Sequence, residues 1–470
     1  MSGFKKIIKN YLTNFKHKYM FIDKNNKYTK KFVTEKIKFF EKKLSENWGK
    51  EKVRGVAILL DRDIDYLSLI FATWICNGFY LPLSNEMPEN NIRQQLRDSG
   101  VNLIVYKKNG ILVFKKIRKI RNKFIEKNHR NIAYVIFTSG STGKKKGVCI
   151  SNSGLQSYFQ AIKIKFYRRK KFKSLVISGE LTFDITLADF IFALLFKSTI
   201  AITENSKNFI SLINIINTHK IEAMYLVPSA LNKLIEINSK IGKNYLKSIK
   251  HINLGGENLS PALVDKIKSK FQKVNIYNFY GPTEFTINCL CHMIENKRYE
   301  EIPIGKPLKG VRIYINKKDP RDDFGELYLS GNQLMLGYVN YKNNIVNVHG
   351  KNYYPTGDVV KINKKHELIF IGRAKDYIKV DGYRISLTRI ENIILKNLNL
   401  PCKVTLIKNK VFLIVEVNKK NKLSINNKLI NIFNSFLESY EKPYKVIFIN
   451  KFIYLDSGKL DITGTINKIR

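Results

Sequence analysis

The residues best suited to chemistry stand in one short run at positions 138–148, which reads Thr-Ser-Gly-Ser-Thr-Gly-Lys-Lys-Lys-Gly-Val. The run follows an apolar segment, residues 134–137, that is typical of a buried strand. Three glycines let the backbone approach an anion closely, and four hydroxyls can donate to phosphate oxygens. A Walker loop needs Ser or Thr after Gly-Lys, whereas here Lys145 follows. The run therefore predicts a phosphate-binding loop of another kind; the alternative is a flexible Ser/Gly turn among lysines.

Four further motifs follow in order along the chain. They lie at residues 278–284 (Asn-Phe-Tyr-Gly-Pro-Thr-Glu), 354–358 (Tyr-Pro-Thr-Gly-Asp), 372–385 (beginning Gly-Arg) and 457–459 (Ser-Gly-Lys). With the phosphate loop, this ordered set resembles the adenylate-forming superfamily. That superfamily contains nonribosomal peptide synthetase adenylation domains, acyl-CoA synthetases, luciferases and D-alanine–carrier protein ligases. The resemblance implies an AMP-forming ligase that uses ATP and Mg²⁺ to convert a carboxylic acid into an acyl-AMP with release of pyrophosphate.

The resemblance also implies an ATP site made of side chains that suit each part of a nucleotide. Tyr280 offers a flat face on which adenine can stack, and Gly281 permits close approach. Asp358 can accept both ribose hydroxyls, Arg373 can pair with ribose or phosphate oxygens, and Glu284 can hold Mg²⁺. Alone, Tyr280 would be interpreted as a core aromatic and Asp358 as part of a turn. The expected nucleotide-binding residues are Thr138, Ser139, Gly140, Ser141, Thr142, Gly143, Lys146, Gly256, Glu257, Asn278, Phe279, Tyr280, Gly281, Thr283, Asp358 and Arg373, with Glu284 as the metal ligand.

The resemblance also makes Lys459, in the Ser-Gly-Lys motif, the expected catalytic residue; without that motif, a single lysine in so basic a chain would carry no such expectation. The acid is already ionised near neutral pH, so the reaction needs no general base. Its barrier lies in bringing one anion onto another and stabilising charge on a five-coordinate phosphorus. A lysine that bridges the carboxylate and the α-phosphate, together with Mg²⁺, addresses both problems.

The kind of acid is indicated by Asp184 in the run Leu-Thr-Phe-Asp-Ile-Thr at residues 181–186, which resembles an element of amino-acid-activating members. There the aspartate faces the substrate ammonium group, since a buried cation needs a paired carboxylate. The alternative is an exposed aspartate that caps a helix beginning at Ile185. By resemblance, the side-chain pocket is expected to contain Ile185, Ala188, Ser229, Asn253, Gly255, Phe279, Ile287 and Asn288. Such a pocket suits a small or polar side chain better than a large aromatic one.

A second half-reaction is implied by the resemblance. The C-terminal domain would rotate about a hinge at Lys375, Lys459 would leave, and the loop around Lys379 and Gly382 would line a tunnel for phosphopantetheine. The alternative for this loop is a plain hairpin. No carrier domain is visible, so we expect the acceptor to be the thiol of a separate carrier protein, or coenzyme A.

The elements that must position these residues alternate between strands and helices. Short apolar strand candidates lie at residues 55–60, 79–83, 103–106, 133–137, 175–177, 223–227, 251–254 and 274–279, and helix-length segments separate most of them. This pattern predicts a parallel, helix-covered α/β sheet. After about residue 300, shorter strands joined by tight polar turns indicate a small β-barrel-like subdomain. A compact, mobile α+β unit is expected from residue 377 onward. We therefore expect an adenylation core over residues 1–374 and a mobile C-terminal domain over residues 375–470.

The composition suits a packed cytoplasmic protein. The formal charge of +45 is spread along the chain without any nucleic-acid motif, so we attribute it to a compositional bias and expect no nucleic-acid partner. The five cysteines are sparse and odd in number, and we expect reduced thiols. The charge-free residues 66–85 are broken by Asn77, Gly78 and Pro82, which predicts a buried helix, turn and strand rather than a membrane span.

Several positions depart from the family pattern, and other functions stay open. The departures are Lys145, Asn152, Ser386, Thr388, Asp456 and Ser457. None removes an essential charge, although together they leave the turnover rate in question. The alternatives to an amino-acid ligase are an acyl-CoA synthetase for another acid, a basic nucleic-acid-binding protein and a catalytically inactive scaffold.

Overall fold

The computed structural model describes residues 3–23, 26–117, 122–139, 145–167, 171–271, 273–317, 319–374, 377–380, 383–407, 410–417, 421–437, 441–454 and 460–468. The α-helices are α1 (Gly3–Asn14), α2 (Lys30–Trp48), α3 (Ile64–Ile75), α4 (Glu89–Ser99), α5 (Lys123–Asn128), α6 (Asn152–Lys165), α7 (Ile185–Phe196), α8 (Phe209–His219), α9 (Pro228–Lys240), α10 (Pro261–Lys270), α11 (Leu387–Leu398), α12 (Lys422–Phe436) and α13 (Ile462–Asn467). Short 3-10 helices lie at His129–Asn131 and Thr283–Phe285.

The strands of the first three hundred residues are mostly four to eight residues long and apolar. They are β1 (Phe21–Ile22), β2 (Lys27–Tyr28), β3 (Gly55–Leu59), β4 (Phe79–Pro82), β5 (Leu103–Lys108), β6 (Ile111–Lys116), β7 (Ile132–Ser139), β8 (Lys145–Ser151), β9 (Ser174–Ile177), β10 (Thr199–Ile202), β11 (Ala223–Leu226), β12 (His251–Gly255), β13 (Asn275–Tyr280) and β14 (Leu290–Met293).

Two large sheets contain most of these strands. Among the described residues, one sheet has the order β15-β14-β13-β12-β11-β9-β10-β1-β2, where β15 is Lys306–Pro307, and the other has the order β18-β8-β7-β4-β3-β5-β6, where β18 is Gly337–Tyr338. The strands from β1 to β13 in the first sheet run parallel, as do β5, β3, β4 and β7 in the second. Strands β4, β9, β10, β11 and β12 are buried at every residue. The predicted parallel, helix-covered sheet is therefore confirmed.

After residue 300 the strands form smaller, separate sheets, as the sequence predicts. The remaining strands are β16 (Arg312–Asn316), β17 (Phe324–Ser330), β19 (Val346–Val348), β20 (Lys351–Ile362), β21 (Leu368–Arg373), β22 (Tyr377–Val380), β23 (Tyr383–Ser386), β24 (Cys402–Ile407), β25 (Lys410–Glu416) and β26 (Lys445–Ile449). Strands β16, β17, β20 and β19 are neighbours in that order, and β21 pairs with β20. Strands β22 and β23 form a hairpin, and β24-β25-β26 form a small sheet packed with α11 and α12 around a separate apolar core.

The chain divides into two compact units. The first contains Met1–Tyr314, Tyr328–Thr356 and Asn363–Ile369, and the second contains Ile315–Leu327, Gly357–Ile362 and Phe370–Arg470. The predicted hinge residue Lys375 lies outside the described residues, so the hinge stays a prediction.

The charge-free stretch at residues 66–85 is the helix, turn and strand that the sequence predicts. Every residue of α3 is buried, Asn77 adopts a left-handed φ of 55° in the turn, and β4 follows. Across the described parts of the chain, we find no helix with the length and apolarity that a bilayer crossing requires.

Several predicted site residues of the first unit lie where parallel strands end. Strand β12 ends at Gly255 and β13 ends at Tyr280. Helix α7 begins at Ile185, after the segment that follows β9. In open α/β sheets, ligands bind outside the carboxyl ends of the strands. The first large sheet therefore brings its candidate residues to the edge where such folds bind ligands.

Candidate active site

The predicted phosphate loop connects two antiparallel strands, β7 and β8. Thr138 pairs with Lys146 and Ser139 pairs with Lys145 at the ends of the strands nearest the loop. The loop itself, residues 140–144, lies outside the described residues. The expected phosphate ligands that fall there are Gly140, Ser141, Thr142 and Gly143.

Asn340 fastens the strand that leaves the loop. Its Oδ1 accepts a hydrogen bond from the Gly147 amide at 3.0 Å, and its Nδ2 donates to the Lys145 carbonyl at 3.0 Å. The same Nδ2 donates to a carboxylate oxygen of Asp98 at 2.8 Å. Burial lowers the pKa of the half-buried Lys145 ammonium. The departure from the family pattern at Lys145 therefore leaves the strand pairing intact.

Lys146 lies against two aromatic rings. Its Nζ is 3.9 Å from the ring centroid of Tyr341 and 5.5 Å from that of Tyr338. The two rings meet edge to face, with centroids 6.0 Å apart. Cation–π contacts of this kind hold an ammonium group without neutralising it. The Lys146 ammonium group thus lies against these rings next to the predicted phosphate loop, and its role toward phosphate stays a prediction.

Glu284 lies in the 3-10 helix Thr283–Phe285 and is held by phenols. Its Oε1 accepts a hydrogen bond from the Tyr338 hydroxyl at 2.7 Å. The Tyr354 phenol lies beside both groups, and its pKa is raised by burial and then by the charge of Glu284. Hydrogen-bond donors stabilise an ionised carboxylate and leave lone pairs for a hard cation. The arrangement fits the predicted role of Glu284 as a Mg²⁺ ligand.

A strained turn follows Glu284. Thr286 and Ile287 both adopt left-handed φ angles, of 53° and 71°, although neither is glycine. The buried Gln333 amide holds this turn, because its Nε2 donates to the carbonyls of Thr286 at 3.4 Å and of Asn288 at 3.0 Å, and the Thr286 hydroxyl donates to the Gln333 carbonyl. Strain of this kind persists only where its surroundings enforce it.

Gly281 is required by the same turn. A Cβ at this position would lie 2.6 Å from the Asn288 Cα and would also overlap the Ile287 carbonyl. From the sequence, glycine is expected at this position because adenine would approach it closely. The structure adds a second reason, since the chain folds back onto Gly281.

Asp184 immediately precedes α7, as the sequence predicts, but it is not an exposed helix cap. Its side chain makes no capping hydrogen bond, and its Oδ2 is fully buried without a hydrogen-bond partner among the described residues. The pKa of this carboxyl is raised from 3.8 to about 7, chiefly by burial; the Glu284 charge adds to the rise and a hydrogen bond with Thr283 opposes it. A buried carboxylate without a cation is costly, so this one is suited to binding a positively charged group.

Most of the residues expected around the substrate side chain come together in the first unit. Gly255 of β12 pairs with Phe279 of β13, and Ala188, Phe279 and Ile287 belong to one apolar core cluster. Asn288 joins them through the Tyr225 hydroxyl, which donates to Asn288 Oδ1 at 3.0 Å. These residues of the predicted pocket therefore lie in the interior of the first unit, and their role in substrate binding stays a prediction.

Three predicted residues are engaged elsewhere. Ser229 is exposed at the start of α9, and both its amide and its hydroxyl donate to the Glu257 carboxylate at 2.9 Å. The buried Asn278 amide donates to the Pro303 carbonyl at 2.8 Å. These contacts tie the segments after β12 and β13 to their surroundings, and the ligand-binding roles of the three residues stay predictions.

The predicted ribose ligands lie in the second unit. The Asp358 side chain is 6% exposed, and one carboxylate oxygen lies 2.8 Å from Nε of Arg373. Gly357, with a left-handed φ of 73°, precedes Asp358 and donates its amide to Glu326 Oε1 at 3.0 Å. Asp358 and Arg373, which are fifteen residues apart in the sequence, therefore form one ion pair, and their roles toward ribose stay predictions.

The predicted groups of the second half-reaction fall mostly outside the described residues. Lys375, Gly382 and Lys459 lie outside them, and of Lys379 only the backbone in β22 is described. Their roles therefore stay predictions.

Several side chains of the site were missed from the sequence. They are Tyr158, Tyr225, Gln333, Tyr338 and Tyr354. Tyr225 could have been predicted from the sequence, because it stands opposite the predicted Asn253 in the pairing of β11 with β12. Parallel strands with a two-residue alternation would have placed both side chains on one face.

The sequence model of the "AMP-binding enzyme" family matches residues 9–339. The chain belongs to this family and is an AMP-forming ligase.

Relatives and solved structures agree with this assignment. The chain is 28% identical over 444 residues to gramicidin S synthase 2 of Aneurinibacillus migulanus, covering 88% of this chain and 10% of that protein. It is 27% identical over 441 residues to zwittermicin A synthase ZmaJ of Bacillus cereus, covering 86% and 84%. The chain spans only 15%, 6% and 10% of the lengths of the first three synthases it matches.

The fold is shared with solved adenylate-forming enzymes. Klebsiella oxytoca NpsA in complex with 3-hydroxyanthranilyl-AMSN superposes with a TM-score of 0.81 at 16% identity, covering 100% of this chain and 99% of that one. A four-domain nonribosomal peptide synthetase, holo-AB3403 bound to AMP and glycine, gives 0.78 at 21% identity, covering 97% and 36%. The expected fold class is thereby confirmed.

Proposed function

We propose that this enzyme adenylates an α-amino acid with ATP and passes the aminoacyl group to the phosphopantetheine thiol of a separate carrier protein. The observation that carries the proposal is the Asp184 carboxylate, whose Oδ2 is buried at the start of α7 and lacks a hydrogen-bond partner among the described residues. An ammonium group supplies the missing counter-charge, whereas a fatty or aryl acid would leave the carboxylate without one.

In the first half-reaction, a carboxylate oxygen of the amino acid attacks the α-phosphorus of ATP. The bond between the α-phosphorus and the bridging oxygen breaks, and pyrophosphate leaves with the electron pair. Residues 138–143 and Lys146 hold the phosphates, Asp358 and Arg373 hold the ribose, and Tyr280 stacks on adenine. Lys459 bridges the carboxylate and the α-phosphate as their charges approach.

Glu284 is proposed to hold Mg²⁺, which neutralises charge on the transferring phosphate oxygens when it is bound. The fit rests on the Tyr338 hydroxyl, which donates to Oε1 and keeps the carboxylate oriented. Glu284 also raises the pKa of Asp184, so a cation at Glu284 would favour the ionised form of Asp184. Metal binding and ammonium binding are therefore expected to support each other.

In the second half-reaction, the carrier thiolate attacks the acyl carbonyl carbon. A thioester forms, the acyl–phosphate bond breaks, and AMP leaves with the bridging oxygen. Rotation of the C-terminal domain at Lys375 would remove Lys459 and bring Lys379 and Gly382 to the thiol path.

The proposal is tested by ATP–pyrophosphate exchange across the amino acids and a panel of fatty and aryl acids. We expect exchange with at least one amino acid, and a fall of about 10²–10³-fold in Lys459→Ala, the range seen when a group that stabilises transition-state charge is removed. Lys451→Ala is the matched control, since this lysine lies in the same C-terminal segment outside the motif, and it should exchange normally.

Two outcomes would overturn the proposal. Exchange with fatty or aryl acids and with no amino acid would make the protein an acid–thiol ligase of another class. ATP binding without exchange for any acid would make it an inactive scaffold.

The thiol acceptor is tested separately by mass spectrometry. We expect the aminoacyl group to appear on a phosphopantetheinylated carrier protein, with coenzyme A as the competing acceptor. Acylation of coenzyme A alone would retain the adenylation proposal and overturn the carrier.

A further inference from the structure

Three neighbouring strands define the floor of the expected substrate pocket. Tyr225 of β11 stands opposite Asn253 of β12, and Gly255 of β12 stands opposite Phe279 of β13. Side chains two residues apart on a strand share a face, so these four residues lie on the same side of the sheet. Helix α7 packs on β11, and its Ala188 belongs to the same core cluster as Tyr225 and Phe279. The floor therefore faces the helix that carries Asp184 at its start.

The Tyr225 phenol fills the space above Gly255. A Cβ at Gly255 would lie 2.5 Å from the Tyr225 hydroxyl oxygen and 2.9 Å from the Phe279 carbonyl oxygen. Glycine at this position therefore does not open a deep pocket here, because a hydroxyl occupies the room that the missing side chain leaves.

The hydroxyl is fixed in this place by a chain of hydrogen bonds. Tyr225 donates to Asn288 Oδ1 at 3.0 Å, and Asn288 Nδ2 donates to the Tyr158 hydroxyl at 2.9 Å. Tyr225 is 2% exposed, Asn288 4% and Tyr158 0%. To move the phenol, a ligand would have to leave buried polar groups without hydrogen-bond partners, which is unfavourable.

This network of hydrogen bonds adjoins the helix that Asp184 precedes, because Tyr158 belongs to α6 and α6 packs against α7. An amino acid with its ammonium group at Asp184 would thus point its side chain at a floor already closed by Tyr158, Asn288 and Tyr225. Ala188 and Ile287, the expected walls, are also almost fully buried.

On the basis of the proposed function, we propose that Tyr225 is a specificity-determining residue that limits the substrate to amino acids with a small side chain, such as hydrogen, methyl or hydroxymethyl. Larger side chains would have to displace the tyrosine hydroxyl from Asn288. Hydrophobic pockets discriminate by about 10–200-fold for each methylene group that they accept or refuse, which sets the scale of the effect.

The test measures kcat/KM for ATP–pyrophosphate exchange with glycine, alanine, serine, 2-aminobutyrate, valine, leucine and phenylalanine. For the unmodified enzyme we expect the highest value with one of the first three and a fall of at least about 100-fold for leucine and phenylalanine. In Tyr225→Val the ratio of leucine to alanine should rise at least about 10-fold.

A milder variant covers the case in which Tyr225→Val fails to fold. Tyr225→Phe removes only the hydroxyl above Gly255 and should raise the ratio of 2-aminobutyrate to alanine by about 3–10-fold. Tyr11→Phe is the matched control, because Tyr11 is equally buried and donates to the Ser198 carbonyl at 2.9 Å, in α1 and away from the predicted pocket residues. It should leave the order of substrates unchanged.

The outcomes separate this inference from the proposed function. Exchange that is best with leucine or phenylalanine in the unmodified enzyme overturns the size limit and retains amino-acid adenylation. Unchanged substrate ratios in both Tyr225 variants also overturn it. Exchange with non-amino acids alone overturns the proposed function itself.

Discussion

Two aspartates of this enzyme, each with a buried carboxylate oxygen, carry their charge in opposite ways. Asp358, in the second unit, is paired with the Arg373 guanidinium at 2.8 Å. Asp184, in the first unit, has a buried Oδ2 without a partner among the described residues, and its pKa is raised to about 7 by burial first of all. A carboxylate paired with a cation is oriented before its ligand arrives, whereas one without a cationic partner depends on its ligand for a counter-charge. We infer that Asp358 positions a neutral ribose and that Asp184 selects a cation.

The largest expected effect is on the use of amino acids by Asp184→Asn. Removing one partner of a buried charge pair costs about 2–5 kcal/mol, so kcat/KM for the preferred amino acid should fall by about 10²–10³-fold. The KM for ATP should stay within about threefold, since the change removes no proposed nucleotide contact. Steady-state exchange measures both constants, and an equal loss for both substrates would erase the contrast between the two aspartates.

The second effect concerns stability and pH. Because the pKa of Asp184 is raised in the folded state, folded protein binds more protons than unfolded protein between about pH 4 and pH 7, and this group lowers stability as the pH rises through that window. Above pH 7, Asp184→Asn should be more stable than the unmodified enzyme by at most about 4 kcal/mol, and the gain should shrink towards pH 4. Urea unfolding at pH 5 and pH 8 measures the gain; one that is equal at both pH values would refute the raised pKa.

The third effect concerns Asp358, the other aspartate of the comparison, and the binding of ATP. Asp358→Asn keeps the shape of the side chain and weakens its contacts with ribose and Arg373, so the KM for ATP should rise by about 10-fold. The KM for the amino acid should not change. Asp319→Asn is the matched control, because Asp319 pairs with Arg321 at 2.8 Å in an exposed pair of the same unit. An effect as large in the control would remove any special role of Asp358.

The smallest effect is expected from Gln333→Leu, which removes two hydrogen bonds to the strained turn at Thr286 and Ile287. The turn connects Glu284 to Asn288, so its relaxation should raise the Mg²⁺ concentration needed for half-maximal exchange by about 2–5-fold, a loss of about 1 kcal/mol. Gln95→Leu removes another buried glutamine and serves as the control for general destabilisation. Equal Mg²⁺ dependence in the two variants would make Gln333 purely structural.

Much of this architecture is predictable from the sequence. The apolar runs that become β4, β9 and β11 are buried on both faces, and such strands read as continuous hydrophobic segments. The motif containing Glu284 is local, so its residues are neighbours in the fold because they are neighbours in the chain. The hairpin of β1 and β2 was missed, since two-residue strands show no periodicity.

The remaining features depend on contacts between distant segments. Tyr158, Tyr225 and Asn288 come from a helix, a strand and a turn, and only the folded chain joins their hydrogen bonds. The environment of Asp184 also depends on distant segments. The sequence shows only that this residue precedes a helix; the folded structure shows that its carboxylate does not cap the helix and that its Oδ2 is buried.

The most direct test of the central claim uses two non-hydrolysable adenylate mimics that differ only in the α-amino group. Calorimetry should show that the unmodified enzyme binds the amino form at least about 100-fold more tightly, and that the preference falls to within about threefold in Asp184→Asn. Equal affinity of the unmodified enzyme for both mimics would show that Asp184 does not select an ammonium group and would contradict the account.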